Sequence, residues 1–304
     1  MRRLLLLSHD FSGSKYHSEK LQSKAKRQAQ KLGAWVQQNG IYPDVVVCSP
    51  EECALLSAEK AIKAGGGNAL GIVVDQRLES AELDEQLAVL SEHTTAQQIL
   101  CVANHHAMSR VLKHLCLDAP MLDRGNLALL NVKKQGLHSN TTHLEALVSS
   151  RDLPSGFPYP DPTSPERRDR PAYYYTQSAA LPYRLHQGAL EVMLITSSGG
   201  QKWIIPKGIC EPGLTPEASA AKEALEEAGV RGNIEAHSIG RYELAKWGAT
   251  CSIDVYPMAV TELLGEGEWH ETHRQREWLD PQSAAARITQ PELAQIVRNF
   301  TASE

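Results

Sequence analysis

A proline-rich segment divides this chain and limits what each half can fold into. Residues 153–171, LPSGFPYPDPTSPERRDRP, contain six prolines. Each proline fixes its φ angle and lacks an amide donor, so the segment cannot form a helix or a central strand. A chain of 304 residues also exceeds the usual size of a single hydrophobic core. The sequence therefore predicts two domains, residues 1–150 and 172–304, joined by a semi-extended linker over 151–171.

The first half alternates apolar runs with helical patterns. Continuous apolar runs, typical of strands buried on both faces, lie at residues 4–7, 44–50 and 99–104. Residues 18–38 repeat apolar positions at steps of three and four, which indicates an amphipathic helix. This order predicts an α/β sandwich with a mainly parallel sheet. His9 and His105 each follow the end of a strand, where sites form in such sheets.

The second half has the pattern of an α+β domain with a mixed sheet. Several strand-like segments surround one alanine-rich helix, and two short helices around 281–288 and 291–300 close the chain. We find no internal repeat between the two halves. The two domains are therefore expected to have different folds.

Composition and charge exclude several classes of protein. The net charge of −5 gives no support for nucleic-acid binding. The apolar run near the start is too short for a secretory signal, which needs roughly 7–15 apolar residues, or for a membrane span of about 20. Six scattered cysteines without a CxxC pair fit reduced thiols. We expect a cytoplasmic protein without nucleic-acid or membrane partners, and a homodimer is only the general prior.

Clear start and stop signals bound the alanine-rich helix. Thr215 suits the N-cap, and Pro216 suits the first turn, where its missing amide would be unpaired anyway. Gly229 follows the last helical residue and tolerates the left-handed conformation that ends many helices. The pattern predicts a short helix between these residues.

Three glutamates share one face of this helix. Glu223, Glu226 and Glu227 lie at positions i, i+3 and i+4, so their like charges repel each other. A solvated acidic surface is the ordinary explanation of such a pattern. A divalent cation would also relieve the repulsion, and oxygen ligands favour Mg²⁺ or Mn²⁺. Spacing alone leaves both explanations open.

The stretch around this helix resembles the Nudix box, G-x5-E-x7-R-E-U-x-E-E-x-G-U. Gly208, Gly229 and Val230 match the pattern, together with the three glutamates. Leu214 stands in place of the first glutamate, and Lys222 in place of the arginine. The resemblance implies a Nudix α/β/α fold with a mixed sheet. The two departures suggest a loop held by packing rather than by an ion pair.

The segments WIIPKG and RQREWLD, on either side of the box, resemble the diphosphoinositol/diadenosine polyphosphate branch of Nudix hydrolases. The resemblance implies that Mg²⁺ or Mn²⁺ assists hydrolysis of a phosphoanhydride in an X-diphosphate or oligophosphate, such as a dinucleoside polyphosphate. It makes Glu223, Glu226 and Glu227 metal ligands and catalytic residues. Glu227 is the first choice as proton acceptor, with Glu268 and Glu271 as alternatives.

The same resemblance suggests which residues contact the substrate phosphates. Lys207 and Gly208 lie at the start of the box, Arg184 lies in ALPYRL, and Arg276 lies in RQREWLD. Taken singly, each of the three cations has the alternative explanation of an ordinary surface charge. The small-molecule phosphoanhydride is the one partner that these residues imply.

Three motifs of the first half resemble those of the histidine phosphatase superfamily, closest in size to its SixA-like members. The family's RHG, SPxxRA and GH stand here as SHD at 8–10, SPEECA at 49–54 and NH at 104–105. The resemblance makes His9 and His105 the paired histidines of the site. Ser8 and Cys53 replace the two arginines that would bind a phosphoryl group, and Asp10 adds a negative charge. We therefore expect an inactive phosphatase-like domain.

Two further hypotheses stay open at this point. The chain could be a non-catalytic sensor that binds a nucleotide or pyrophosphate ligand, since the box departs from the family pattern. It could also be a two-step hydrolase whose first half dephosphorylates the product of the second. Turnover with Mg²⁺ would exclude the first hypothesis, and lack of monoester hydrolysis would exclude the second.

Overall fold

The computed structural model describes residues 2–9, 19–67, 71–80, 82–133, 137–139 and 141–302. The chain forms two compact units, Met1–Ala172 and Tyr173–Glu304. Each unit has its own sheet.

Within its described residues, the first unit has a six-stranded sheet and four α-helices. Its strands are β1 (Arg2–Ser8), β2 (Val45–Cys48), β3 (Ile72–Val74), β4 (Gln98–Ala103), β5 (Asn126–Val132) and β6 (Thr142–Ser149), and its helices are α1 (Glu19–Gln38), α2 (Glu52–Ala64), α3 (Leu83–Glu92) and α4 (His105–Leu115). The strand order is β3-β2-β4-β1-β5-β6. The first four strands of this order are parallel, β5 pairs antiparallel with β1, and β6 pairs antiparallel with β5. The predicted α/β sandwich with a mainly parallel sheet is confirmed.

Alternate leucines of β1 fill the cores on the two faces of this sheet. Leu4 and Leu6 pack in one core with residues of α3 and α4, while Leu5 and Leu7 pack in the other with residues of α1 and α2. Successive side chains of a strand point to opposite faces, so a continuous leucine run fits a strand covered on both sides. This arrangement places His9 directly at the carboxyl end of the central strand β1.

The proline-rich segment folds onto the first unit, which differs from the predicted linker. It contains the short paired strands β7 (Phe157–Pro158) and β8 (Arg167–Arg168). Phe157 is fully buried beneath the Arg27 guanidinium, and Arg27 donates a hydrogen bond to the carbonyl of Asp169 at 3.1 Å. Prolines exclude a helix or central strand, but they permit a two-residue edge pairing and a buried aromatic anchor.

The second unit combines a mixed eight-stranded sheet with three helices. Its strands are β9 (Thr176–His186), β10 (Ala189–Thr196), β11 (Trp203–Ile204), β12 (Lys207–Ile209), β13 (Val230–Ile234), β14 (Gly240–Lys246), β15 (Ala249–Leu263) and β16 (Arg276–Leu279), and its helices are α5 (Pro216–Ala228), α6 (Pro281–Arg287) and α7 (Pro291–Arg298). Strands β9 and β15 pair in parallel, whereas the other pairings are antiparallel. The predicted mixed sheet and the two closing helices are confirmed.

Two further observations concern expectations from composition. Across the described ranges, no helix is long and apolar enough to cross a membrane. All six cysteines fall within those ranges, and none of them is joined in a disulfide.

Candidate functional site

Helix α5 is fixed by its two ends and by one apolar face. The Thr215 side chain accepts a hydrogen bond from the Ala218 N–H at 3.3 Å, and Gly229 ends the helix with a φ of 62°. Three alanines of α5 are fully buried in the core of the second unit. Their small side chains let the helix lie close to the sheet. The predicted caps are confirmed, and they fix how the glutamates of α5 project.

The Glu223 carboxylate lies directly against strand β12. A Cβ atom built on Gly208 would lie 2.0 Å from Glu223 Oε1, so only glycine leaves room for this carboxylate. Burial, and then repulsion from Glu227, raises the pKa of Glu223 to about 7. Near neutral pH this carboxyl group is therefore only partly ionised. The site holds more negative charge than its own cations balance.

Glu227 is buried and held by a donor at each carboxylate oxygen. Glu227 as a whole residue is 6% exposed. The Lys207 backbone N–H donates to Oε2 at 2.8 Å, and Arg274 Nη2 donates to Oε1 at 2.5 Å. Burial raises the pKa of Glu227, while the Lys207 N–H and the Arg274 charge oppose that rise. These contacts fix the carboxylate between the loop and the helix.

Arg274 is a site residue that the sequence analysis did not identify. Its guanidinium also donates from Nε to Glu271 Oε2 at 2.6 Å and from Nη1 to the Thr196 carbonyl at 2.9 Å. The Glu271 N–H donates to the Glu226 carbonyl at 3.0 Å, so this segment docks on α5. The RQREWLD segment showed two arginines, Arg274 and Arg276. It did not show which one turns towards the glutamates.

Lys222 links the acidic helix to the preceding loop. Lys222 Nζ lies 3.1 Å from Glu226 Oε2 and 3.9 Å from Glu211 Oε1. The Glu211 N–H also donates to Ser219 Oγ at 3.0 Å. The expectation of a loop held without an ion pair is therefore wrong. An acid three positions before Leu214 supplies the partner that the family pattern places at Leu214 itself.

Arg184 lies away from the glutamates. Lys207 pairs with Ala179 on β9, and Arg184 is five residues further, about 17 Å along an extended strand. Arg184 Nε is 2.7 Å from Glu191 Oε2, and its guanidinium lies 4.3 Å from the Trp278 ring centroid. In this structure Arg184 bridges two neighbouring strands.

Arg276 binds backbone carbonyls at the end of α5. Its Nη1 donates to the Ala228 carbonyl at 3.0 Å, and its Nη2 donates to the Leu264 carbonyl at 2.5 Å. The guanidinium also stacks over Trp269, 4.1 Å from the ring centroid. A cation at this position satisfies carbonyls that a helix end leaves unpaired. Of the four predicted substrate contacts, the structure brings Lys207 and Gly208 to the glutamates, but not Arg184 or Arg276.

The charge and ligand type of the α5 glutamates fit a divalent cation. Burial raises the pKa of both Glu223 and Glu227, with added repulsion from Glu227 on the first and from Glu271 on the second, and all the candidate ligands are carboxylate oxygens, as Mg²⁺ prefers. Their oxygens are not gathered as a set. Among the described residues, the group of His, Cys, Asp or Glu ligand atoms that lie within 4.8 Å of one another is formed by His9, Glu51 and Cys53 of the first unit, not by the glutamates of α5. Here Glu227 is bonded to Arg274, and Glu226 to Lys222.

The two histidines of the first unit each contact a charged side chain. His9 Nε2 lies 2.7 Å from Glu51 Oε2, and His105 Nδ1 accepts a hydrogen bond from Arg124 Nε at 3.3 Å. Burial lowers the pKa of His105, and the nearby charges of Arg124 and His9 lower it further. Arg124 lies outside every motif, so no local pattern predicts its role. Asp10 lies outside the described residues.

Comparisons with known proteins match the second unit to a family. The NUDIX domain family matches residues 174–300. Among curated relatives, Nudix hydrolase 17, mitochondrial, of Arabidopsis thaliana is 42% identical over 94 residues, covering 30% of this chain and 50% of its own length. Diphosphoinositol polyphosphate phosphohydrolase 3-beta of Bos taurus is 35% identical over 98 residues, covering 31% and 57%. The chain spans 50% to 60% of the length of the first three curated relatives.

Solved structures are similar to each unit. An Ap4A hydrolase from C. elegans is 20% identical, with a TM-score of 0.35, covering 41% of this chain and 93% of its own. The protein histidine phosphatase SixA complexed with tungstate is 15% identical, with a TM-score of 0.40, covering 49% of this chain and 98% of its own.

One relative is matched over most of its length. Nudix hydrolase 12, mitochondrial, of Arabidopsis thaliana is 30% identical over 142 residues, covering 38% of this chain and 69% of that protein. This match includes more than two thirds of the relative, and it agrees with the domain match over residues 174–300. The chain belongs to the Nudix hydrolase family.

Proposed function

We propose that the second unit hydrolyses a phosphoanhydride bond in an X-diphosphate or oligophosphate, with Mg²⁺ or Mn²⁺ as cofactor. The observation that carries this proposal is the Glu223 carboxylate against Gly208, where burial and neighbouring acids raise the pKa to about 7. Relatives named diphosphoinositol polyphosphate phosphohydrolases support a highly phosphorylated substrate. A dinucleoside polyphosphate-like compound is the substrate class that we favour.

Glu223, Glu226 and Glu227 are the residues that would hold the cation. A bound divalent ion supplies a water ligand of lowered pKa and offsets the charge of phosphate oxygens. The Glu226 side chain is 38% exposed, so it can turn from Lys222 towards its two neighbours on α5. Arg274 keeps Glu227 oriented without occupying the face that Glu223 presents to the loop.

The contacts of the carboxylates favour some proton acceptors over others. Glu227 accepts a charge-assisted hydrogen bond at each carboxylate oxygen, and these bonds oppose the rise of its pKa and occupy both oxygens. Glu223, with its pKa raised to about 7, is better suited to take a proton from water. Glu271 stays an alternative, with its Oε2 accepting a hydrogen bond from Arg274 Nε at 2.6 Å. Glu268 is less suited, because its carboxylate accepts a backbone N–H of its own turn at 2.7 Å.

Lys207 and the backbone at Gly208 are the phosphate contacts that we retain. Lys207 lies on β12 beside the acidic helix, and its backbone N–H already binds Glu227. Burial lowers the pKa of Lys207, with the nearby Glu227 charge opposing that effect. When a phosphate group contacts the Lys207 ammonium group, water leaves the space between them. The lower local dielectric constant then strengthens the attraction between the two charges. The guanidinium groups of Arg184 and Arg276 are bonded within the protein, so we leave them out.

A substrate panel with and without Mg²⁺ tests this function. It should include dinucleoside polyphosphates, diphosphoinositol phosphates, nucleotide sugars and nucleoside triphosphates. Glu226→Gln should lower kcat by at least about 10²-fold, since it removes a cation ligand from a partly exposed position. The matched control is Glu243→Gln on β14, an exposed glutamate that should leave turnover unchanged. Ligand binding without turnover, unaffected by Glu226→Gln, would favour the sensor.

We also propose that the first unit does not hydrolyse phosphomonoesters. Glu51 lies against His9 Nε2, so a carboxylate occupies the position beside the histidine and repels a phosphoryl group. Arg124 beside His105 replaces only part of the lost positive charge. Assays of phosphate release from monoesters should show no activity in the intact chain. Release that disappears in His9→Ala would instead support the two-step hydrolase.

The cellular compartment and the oligomeric state stay predictions. Several relatives carry the word mitochondrial in their names, so our cytoplasmic expectation needs a direct test. Fractionation of cells that express the chain would test the compartment, and light scattering would test the homodimer.

A further inference from the structure

The first unit contains a cluster of three different metal-ligating side chains. His9 Nε2, Glu51 Oε2 and Cys53 Sγ all lie within 4.8 Å of one another. His9 follows strand β1, whereas Glu51 occupies the N-cap position of α2 and Cys53 lies in its first turn. His9 is 2% exposed, and the Glu51 side chain is 33% exposed. The cluster is therefore fixed on its inner side and open to solvent on its outer side.

We propose that His9, Glu51 and Cys53 form a binding site for one Zn²⁺ ion, with a fourth position open to solvent. Zinc binds nitrogen and oxygen at about 2.0–2.1 Å and sulfur at about 2.3 Å, so tetrahedral ligands lie about 3.3–3.6 Å apart. Cys53 Sγ lies 3.8 Å from His9 Nε2 and 3.6 Å from Glu51 Oε2, close to these values.

One adjustment is needed for an ion to enter. His9 Nε2 and Glu51 Oε2 are hydrogen-bonded at 2.7 Å, and they must separate by about 0.6 Å to become neighbouring ligands. Glu51 can make this movement, because its side chain reaches solvent. Binding of the ion would release two protons to solvent, the one shared by His9 and Glu51 and the thiol proton of Cys53.

The ligand types select the metal. Thiolate and imidazole ligands favour Zn²⁺ over Mg²⁺, which prefers oxygen ligands only. The cluster also includes the position where the phosphatase motif has an arginine, since Cys53 replaces it. Losing a guanidinium and gaining a thiol changes the preference of this pocket from a phosphate to a cation. The site lies in the first unit and does not depend on the function proposed for the second.

Cobalt spectroscopy on the intact chain tests the zinc site. The protein is stripped with a chelator, supplied with excess Mg²⁺ to saturate the carboxylates of α5, and titrated with Co²⁺. We expect a thiolate-to-cobalt charge-transfer band that saturates at about one equivalent and disappears when Zn²⁺ is added. His9→Gln should weaken Co²⁺ binding at least tenfold, because even outer-shell changes cost about 10–100-fold in metal affinity.

Cysteine variants separate this site from the other thiols. Cys53→Ser should lose the charge-transfer band, whereas the matched control Cys116→Ser, at another half-buried cysteine of the first unit, should keep it. Circular dichroism checks that each variant is folded, and Glu51→Gln serves as a second ligand variant if Cys53→Ser does not fold. An unchanged band in folded Cys53→Ser, or no band in the wild type at saturating Co²⁺, would overturn the proposal.

Discussion

Replacing Glu223 by glutamine should stabilise the protein at neutral pH while removing its function. Glu223→Gln keeps the size of the side chain and removes a charge from a half-buried position. Burial and the neighbouring acids, Glu227 first, raise the pKa of Glu223 from its ordinary value of 4.5 to about 7. The ionised carboxylate therefore costs folding free energy unless a cation balances it.

The pH dependence of this cost has a definite sign. Below about pH 4.5, Glu223 is protonated in both the folded and the unfolded chain, and the variant gains nothing. Between about pH 4.5 and 7 the folded state keeps a proton that the unfolded chain releases, so the free energy of unfolding of the wild type falls as pH rises. At about 1.4 kcal/mol per pH unit, and with allowance for partial exposure, the full loss is about 2–3 kcal/mol.

Urea unfolding followed by tryptophan fluorescence measures this effect. Four of the five tryptophans lie in the second unit, so the signal mainly reports that unit. In a chelator at pH 8, Glu223→Gln should be about 2–3 kcal/mol more stable than the wild type, and the two should converge near pH 4. Mg²⁺ at about 100 times its Kd should add about 2.7 kcal/mol to the wild type and little to the variant.

The exposed glutamate Glu243 supplies the control for this experiment. Glu243→Gln should follow the wild type at every pH, with and without Mg²⁺. If Glu223→Gln instead has the same pH dependence as the wild type, or is less stable at pH 8, then Glu223 is not a surplus buried charge. The electrostatic reasoning behind the cation site would then be refuted.

Three other changes probe the contacts around α5. Gly208→Ala should leave the fold intact but lower kcat/KM by about 10²-fold, because the new methyl group displaces the flexible end of Glu223; unchanged kinetics would contradict this. Arg274→Met should cost about 3–5 kcal/mol in urea unfolding at pH 7, since it leaves Glu227 buried without its ion pair. Lys222→Ala should cost at most about 0.5 kcal/mol in the same assay, as its ion pair with Glu226 is exposed, and a loss as large as that of Arg274→Met would show that the pair is not a surface contact.

The features that the sequence predicted well depend on local patterns. The continuous leucines of β1 predicted a strand buried on both faces, and the two ends of α5 followed from Thr215 and Gly229. Steric and hydrogen-bonding preferences of single residues determine such features, so they can be recognised without a partner. The grouping of Glu223, Glu226 and Glu227 on one helix was predictable for the same reason.

The features that the sequence did not predict depend on residues far apart in the chain. Arg274 binds Glu227 across 47 positions, and Arg124 binds His105 across 19. The proline-rich segment was expected to be a linker, because nothing in its composition shows that Phe157 is buried. Side-chain rotamers and tertiary packing decide these contacts, and neither follows from local propensity.

The departures from the two family patterns are best understood through their spatial neighbours. Leu214 removes an acid from the Nudix box, but Glu211 takes its place opposite Lys222. The negative charge opposite Lys222 is therefore displaced by three positions along the chain, and the contact between the loop and helix α5 is kept. In the first unit, Cys53 stands where the histidine phosphatase motif that it resembles has an arginine, and the Glu51 carboxylate lies beside His9. A substitution that keeps the charge of a site also keeps the type of ligand that the site can bind. A substitution that inverts the charge changes the type of ligand. By this criterion we expect hydrolysis at the acidic helix and metal binding at His9, in line with the two proposals.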